Sequence, residues 1–156
     1  MPFPCDDFLA NPDGALFRAV DVDATAAVTF RWLCQLRTAP YSYDWIDNLG
    51  RTSPRTLTPG LASLALGQTV MTIFELADFV VPRHLTLLLR RGRAVFGDVA
   101  CTYLVAPRSA QRSRIVVKML VRYPGLRRLV EHLFPLADLV MMRKQLLTLK
   151  HLAEGR

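Results

Sequence analysis

The apolar and polar positions divide the chain into segments of two different periods. Leu16 to Val22 alternates, with Phe17, Ala19 and Asp21 opposite Leu16, Arg18, Val20 and Val22, and reads as a first strand. Ala24 to Leu36 has a helical period, with Val28, Phe30, Trp32, Leu33 and Leu36 apolar. Asp23 is placed to cap it and Pro40 to end it. Tyr41 to Leu49 is aromatic and acidic and predicts a second short helix closed by Gly50. Pro54, Pro59, Gly60 and Gly67 mark 51–68 as an irregular connection.

Four apolar strands are expected next, Val70 to Ala77, His84 to Arg90, Ala94 to Val105 and Arg114 to Tyr123, joined by short polar turns into an antiparallel meander. Pairing the last two across 107–112 sets Val105 against Ile115, Tyr103 against Val117, Cys101 against Met119 and Val99 against Val121. That makes one face almost wholly apolar. The same register sets Thr102 beside Lys118 and Asp98 beside Arg122 on the other face. Pro124 and Gly125 then break the chain, Leu126 to Phe134 makes a helical turn or two, and Pro135 opens a helix that runs to Ala153 without Gly or Pro. On that helix Leu136, Leu139, Val140, Met142, Leu146 and Leu147 fall on one broad face, continued by Leu149 and Ala153.

With 156 residues the chain is the size of one domain, here 15–156 behind an N-terminal tail of 1–14. The hydrophobic fraction of 51% excludes a mainly disordered chain, and no apolar run approaches the length of a membrane span. The first 14 residues hold three aspartates and no cation, unlike a secretory leader, so a cytoplasmic location is expected. The net charge of +7 is unevenly spread: residues 1–50 carry −4 and residues 51–156 carry +11. Most of the cations are arginines scattered singly, or clustered as 90, 91, 93 and 108, 112, 114 at expected turns. Solvated turn charges therefore account for the excess, and no nucleic acid is expected as a partner. Cys5, Cys34 and Cys101 have no paired spacing, with Cys34 and Cys101 reading as core. His84, His132 and His151 make no ligand triad, so no metal is expected.

Strand, two short helices, meander and long helix follow one another in the order of an α+β helix-grip fold, a curved antiparallel sheet wrapped around its C-terminal helix. The stretches VDVDA at 20–24, FRWL at 30–33, YSYDWID at 41–47 and DLVMMRKQL at 138–146 resemble the START-like (SRPBCC) superfamily, and in it the branch of polyketide cyclases, dehydrases and lipid-transport proteins. The resemblance covers about residues 15–153. It implies a deep apolar cavity between sheet and helix with its mouth near the short helices, occupied by a hydrophobic small molecule without any cofactor. On this sequence the lining would come from Met71, Ile73, Leu87, Val99, Tyr103 and Met119 on the sheet. Leu139, Met142 and Leu146 would complete it on the helix, and Trp45 at the mouth.

Candidate chemistry is sparse. Arg143 and Lys150 project on the helix face of Leu139 and Leu146, and a cation buried there alone would cost several kcal/mol. Glu75, in phase with Met71 and Ile73, is the natural partner of Arg143. The two either form a structural pair, with Asp47 as a second partner for Arg143, or hold an anionic ligand group. Tyr43 with Asp44 or Asp47 either packs and caps or serves as proton donor and acceptor on a carbonyl compound. Two functions follow: a binder of an apolar or amphipathic lipid, polyketide or related metabolite, or a cofactor-independent cyclase or dehydratase of natural-product biosynthesis using Tyr43, Asp47, Glu75 and Arg143 for acid and base work.

Overall fold

The computed structural model describes residues 2–42, 52–123 and 134–156, with Val95 and residues 134–139 described as backbone alone. Strand β1 (Gly14–Val22) leads into helix α1 (Ala26–Cys34), which tightens into a 3₁₀ turn at Gln35–Arg37. The meander is β2 (Thr69–Val70), β3 (Phe74–Val80), β4 (His84–Leu89), β5 (Asp98–Ser109) and β6 (Arg112–Arg122), with a single turn of helix, α2 (Arg93–Phe96), before β5. Helix α3 (Phe134–Ala153) closes the chain. All pairings are antiparallel in the order β1-β6-β5-β4-β3-β2, so the first strand joins the last and the sheet curves over α1 and α3. This is the α+β helix-grip arrangement. No helix among the described residues is long and apolar enough to cross a membrane.

Where both faces of a strand carry a pattern, expectation and structure coincide. β5 and β6 pair as Val99↔Val121, Cys101↔Met119, Tyr103↔Val117 and Val105↔Ile115, with Thr102↔Lys118 and Asp98↔Arg122 on the other face. A strand register slipped by one residue would have exchanged the two faces.

Differences arise where a local backbone device interrupts the pattern. The stretch expected as one strand from Val70 is two, because Met71 (φ 48°) and Thr72 (φ 63°) turn through the left-handed region and fold β2 back on β3. A β-branched residue rarely adopts that conformation, and alternation of side chains gives no warning of it. Downstream, β3 bulges at Ala77: Asp78 lies opposite Thr86, but Leu76 lies opposite Leu87. The strand expected from Ala94 starts only at Asp98, because Gly92 (φ 85°) and Gly97 (φ 75°) bracket α2 with positive φ. A Cβ on Gly92 would come within 3.1 Å of the Phe96 ring. Helix α1 is capped by Thr25, whose hydroxyl accepts from the Val28 N–H at 3.2 Å, and not by Asp23. The carboxylate of Asp23 instead meets Arg112 on the neighbouring strand at 2.7 Å.

The main core lies between the concave face of the sheet and the two helices. Leu33, Leu36, Leu87, Ile115, Val117 and Leu149 are fully buried there. A second, smaller cluster covers the convex face. The segment read as a tail packs Phe3, Cys5 and Leu9 onto Ala100 and Leu120. It is held by the Cys5 N–H donating to Thr102 Oγ1 at 2.9 Å and by Lys118 Nζ to Asp6 at 2.5 Å. Of the helices expected at Tyr41 to Leu49 and Leu126 to Phe134, residues 43–49 and 126–133 lie outside the described residues.

Candidate functional site

Between the concave face and α3 the packing leaves a cavity of about 470 Å³. Its sheet wall is Leu87 and Leu89 from β4, Val99, Cys101 and Tyr103 from β5, and Met119 from β6. The turn that reverses β2 supplies Met71, Ile73 and Phe74, and α3 supplies Met141, Met142 and Gln145. Pro40, Ser42, Thr72 and Phe96 complete the lining. Further along the same face, Leu85, Val105, Ile115 and Val117 are buried in the closed core. The cavity is thus where the helices stop filling the sheet.

Its walls are mostly apolar; besides the hydroxyl side chains of Ser42 and Thr72 they carry one built polar arrangement. Gln145 is 4% exposed, and its Nε2 donates to the Pro40 carbonyl at 2.6 Å and lies 3.3 Å from the Met71 sulfur. Tyr103, 1% exposed, donates its hydroxyl to Gln145 Oε1 at 2.7 Å. One amide thereby joins α3 to the central strand, to the chain after α1 and to the β2–β3 turn. Burial without these partners would cost several kcal/mol, so the network is part of what fixes the wall.

Seven expected lining residues, Met71, Ile73, Leu87, Val99, Tyr103, Met119 and Met142, do line the cavity. Leu146 does not: it is 3% exposed and packed in the core beside it. Tyr43, Trp45 and Asp47 lie outside the described residues, and Leu139 is described as backbone alone. Cys101, expected as plain core, is a wall residue. Cys34 is core, with its thiol pushed up to about 11 by burial, which leaves it protonated and unreactive at neutral pH.

The expected meeting of Glu75 and Arg143 does not occur. The bulge at Ala77 sets Glu75 opposite Leu88, whose side chain belongs to the convex face, whereas unbroken alternation would set it opposite Leu89 inside. Glu75 therefore points outward and takes a two-pronged bond from Arg90, at 2.5 and 2.8 Å, which holds its carboxyl below the usual range. Arg143 is exposed. The buried arc of α3 runs through Met142, Gln145, Leu146, Leu149 and Ala153, rotated by about 50° from an arc centred on Leu139 and Leu146. Lys150, at the edge of that arc, reaches out to the Asp21 carbonyl at 2.7 Å and Glu154 at 2.6 Å.

Gln145 is the residue that sequence reasoning passed over. Its signal was present: a lone amide three residues after Met142 and four before Leu149, inside an otherwise apolar arc. No group of three histidine, cysteine or carboxylate side chains among the described residues could hold a metal ion.

No protein-family model matches the chain, and no curated protein sequence matches it significantly. Solved structures do resemble it. The di-domain ARO/CYC BexL from the BE-7585A biosynthetic pathway superposes with a TM-score of 0.62 at 16% identity, over 90% of this chain. The match spans 46% of the length of that di-domain. Norcoclaurine synthase from Thalictrum flavum, a point mutant in complex with a transition-state analogue, gives 0.53 at 14% identity, covering 91% of this chain and 94% of that one. Protein MLL2253 from Mesorhizobium loti gives 0.58 at 11% identity over 91% and 98%. At these identities the likeness establishes the fold.

Proposed function

We propose that this protein binds an apolar or amphipathic small molecule, a lipid, polyketide or related metabolite, in the cavity between the sheet and α3. The observation that carries the reading is a cavity of about 470 Å³, inside the size range of small-molecule sites, walled mostly by apolar side chains around one satisfied polar pair. Methionines at 71, 119, 141 and 142 suit such a wall, because an unbranched thioether side chain repacks around different shapes. Burying ligand surface there yields roughly 25 cal/mol per Å² of apolar area removed from water.

Binding is measured with the neutral fluorophore N-phenyl-1-naphthylamine and by native mass spectrometry of the purified protein. Saturable 1:1 fluorescence enhancement is expected in the wild type. It should weaken at least about tenfold in Cys101→Phe, whose new ring projects into the cavity and whose folding is checked by circular dichroism. Absence of saturable binding, or undiminished binding in that folded variant, overturns the reading.

A second reading, a cofactor-independent polyketide cyclase or dehydratase, is favoured by the fold shared with an ARO/CYC protein and by a phenol, Tyr103, on the cavity wall. Fold alone does not choose between carrier and catalyst. With Glu75 and Arg143 facing solvent, its acid and base would come from Tyr43 and Asp47 or from Tyr103. Absence of polyketide turnover by the wild type removes this reading and leaves the first intact, whereas turnover that survives Tyr43→Phe, Asp47→Asn and Tyr103→Phe puts its acid and base on other residues.

A further inference from the structure

The hydrogen bonds of the cavity wall have a direction, and the direction restricts what can bind. A carbonyl oxygen can only accept, so the 2.6 Å contact with Pro40 fixes Nε2 of Gln145 on that side and its Oε1 on the side of Tyr103. An amide oxygen carries no proton, so the hydrogen of the 2.7 Å contact belongs to the phenol of Tyr103. The second proton of Nε2 faces the Met71 sulfur at 3.3 Å. At the rim, the Thr72 hydroxyl donates to the Met71 carbonyl at 2.5 Å. The donors of this network are therefore engaged with protein acceptors. What it offers a newcomer is acceptors: the second lone pairs of Gln145 Oε1 and the Pro40 carbonyl, and the thioethers of Met71, Met119 and Met142. None of the described lining residues is charged.

Resting on the binding reading above, we infer that the cavity selects neutral ligands bearing a hydrogen-bond donor, a phenolic or alcoholic hydroxyl, and rejects carboxylates and phosphates. A hydroxyl entering beside Gln145 gives its proton to a lone pair that water would otherwise have to satisfy. An ether of the same shape brings only another acceptor. A carboxylate brings a full negative charge to a wall of lone pairs with no cation among the described lining residues, and gives up its hydration to do so.

The test is displacement of bound N-phenyl-1-naphthylamine at pH 7 by 2-naphthol, 2-methoxynaphthalene and 2-naphthoate, three compounds with one ring system. The naphthol should displace the probe at a concentration about threefold to tenfold below that of the ether, the worth of one net hydrogen bond. The naphthoate should need at least about a hundredfold more than the naphthol. In Gln145→Met the advantage of naphthol over ether should fall to about one. The wild-type ranking stands as the test even if that variant does not fold. Naphthoate binding as well as naphthol, or an ether as good as the naphthol, overturns the inference while leaving the cavity a binding site. A probe that none of the three displaces, or that never binds, overturns the binding reading and the inference together.

Discussion

The two faces of the sheet are made from the same strands and finished in opposite ways. On the convex face the apolar patch of Ala100 and Leu120 is small, and the chain covers it with its own Phe3, Cys5 and Leu9, clasped by the ion pair of Asp6 with Lys118. The rest of that face and its edges carry pairs such as Arg114 with Asp21 and Arg122 with Asp98. On the concave face the apolar surface is larger than α1 and α3 cover, and the remainder is the cavity wall. Apolar residues on a strand thus do not by themselves mark a site. Among the described residues, the difference lies in whether the chain supplies its own cover.

That contrast can be broken in graded steps. Removing residues 1–9 should have the largest effect, about 3–5 kcal/mol of unfolding free energy in urea, because the buried side chains of Phe3 and Leu9 contribute most of it. Affinity for N-phenyl-1-naphthylamine in the protein that remains folded should not change; a weaker probe affinity would show that the two faces are coupled. Next, Leu149→Ala in the closed core should cost about 2–5 kcal/mol. Leu89→Ala on the cavity wall should cost about 1–2 kcal/mol, since part of that side chain already faces empty space. Equal costs in the same denaturant titration would mean that the wall is packed as tightly as the core.

Acid probes the clasp alone. Bonds from Lys118 and the Phe3 N–H hold the Asp6 carboxyl below its ordinary value of 3.8. A depressed pKa stabilises the fold above the ordinary value, and that stabilisation is lost as the pH falls through the folded one. Urea midpoints should therefore put Asp6→Asn below the wild type at pH 6, with the gap closing towards pH 2. A gap of constant size would remove the ion pair from the account. The smallest effect is expected for Glu75→Gln and Arg143→Ala, which should leave probe affinity unchanged, because both side chains point away from the cavity.

How much of this was legible in the sequence follows the same division. The β5–β6 hairpin was readable to the residue because its two faces constrain the register independently: a slip would bury Lys118 and expose Val117. The sheet wall contributed by Val99, Tyr103 and Met119 followed from that register. The turn at Met71–Thr72 and the bulge at Ala77 were not readable, since neither uses a glycine or a proline and both leave the run of apolar residues intact. The orientation of α3 was off by about half a residue's rotation, because its apolar positions outnumber those it buries. Val140 and Leu147 remain exposed. That small rotation was enough to turn Arg143 to solvent and to bring Gln145, which no pattern of apolar residues highlights, to the wall.

The bulge at Ala77 has a genetic reading as well. Loss of that single codon would restore plain alternation between β3 and β4 with Leu76 still opposite Leu87 and Glu75 still opposite Leu88, on the convex side. The bond of its carboxylate with Arg90 at the surface would be kept, and the described cavity lining would stay uncharged. The extra residue thus absorbs a one-codon loss that would exchange the two faces of a strand without a bulge.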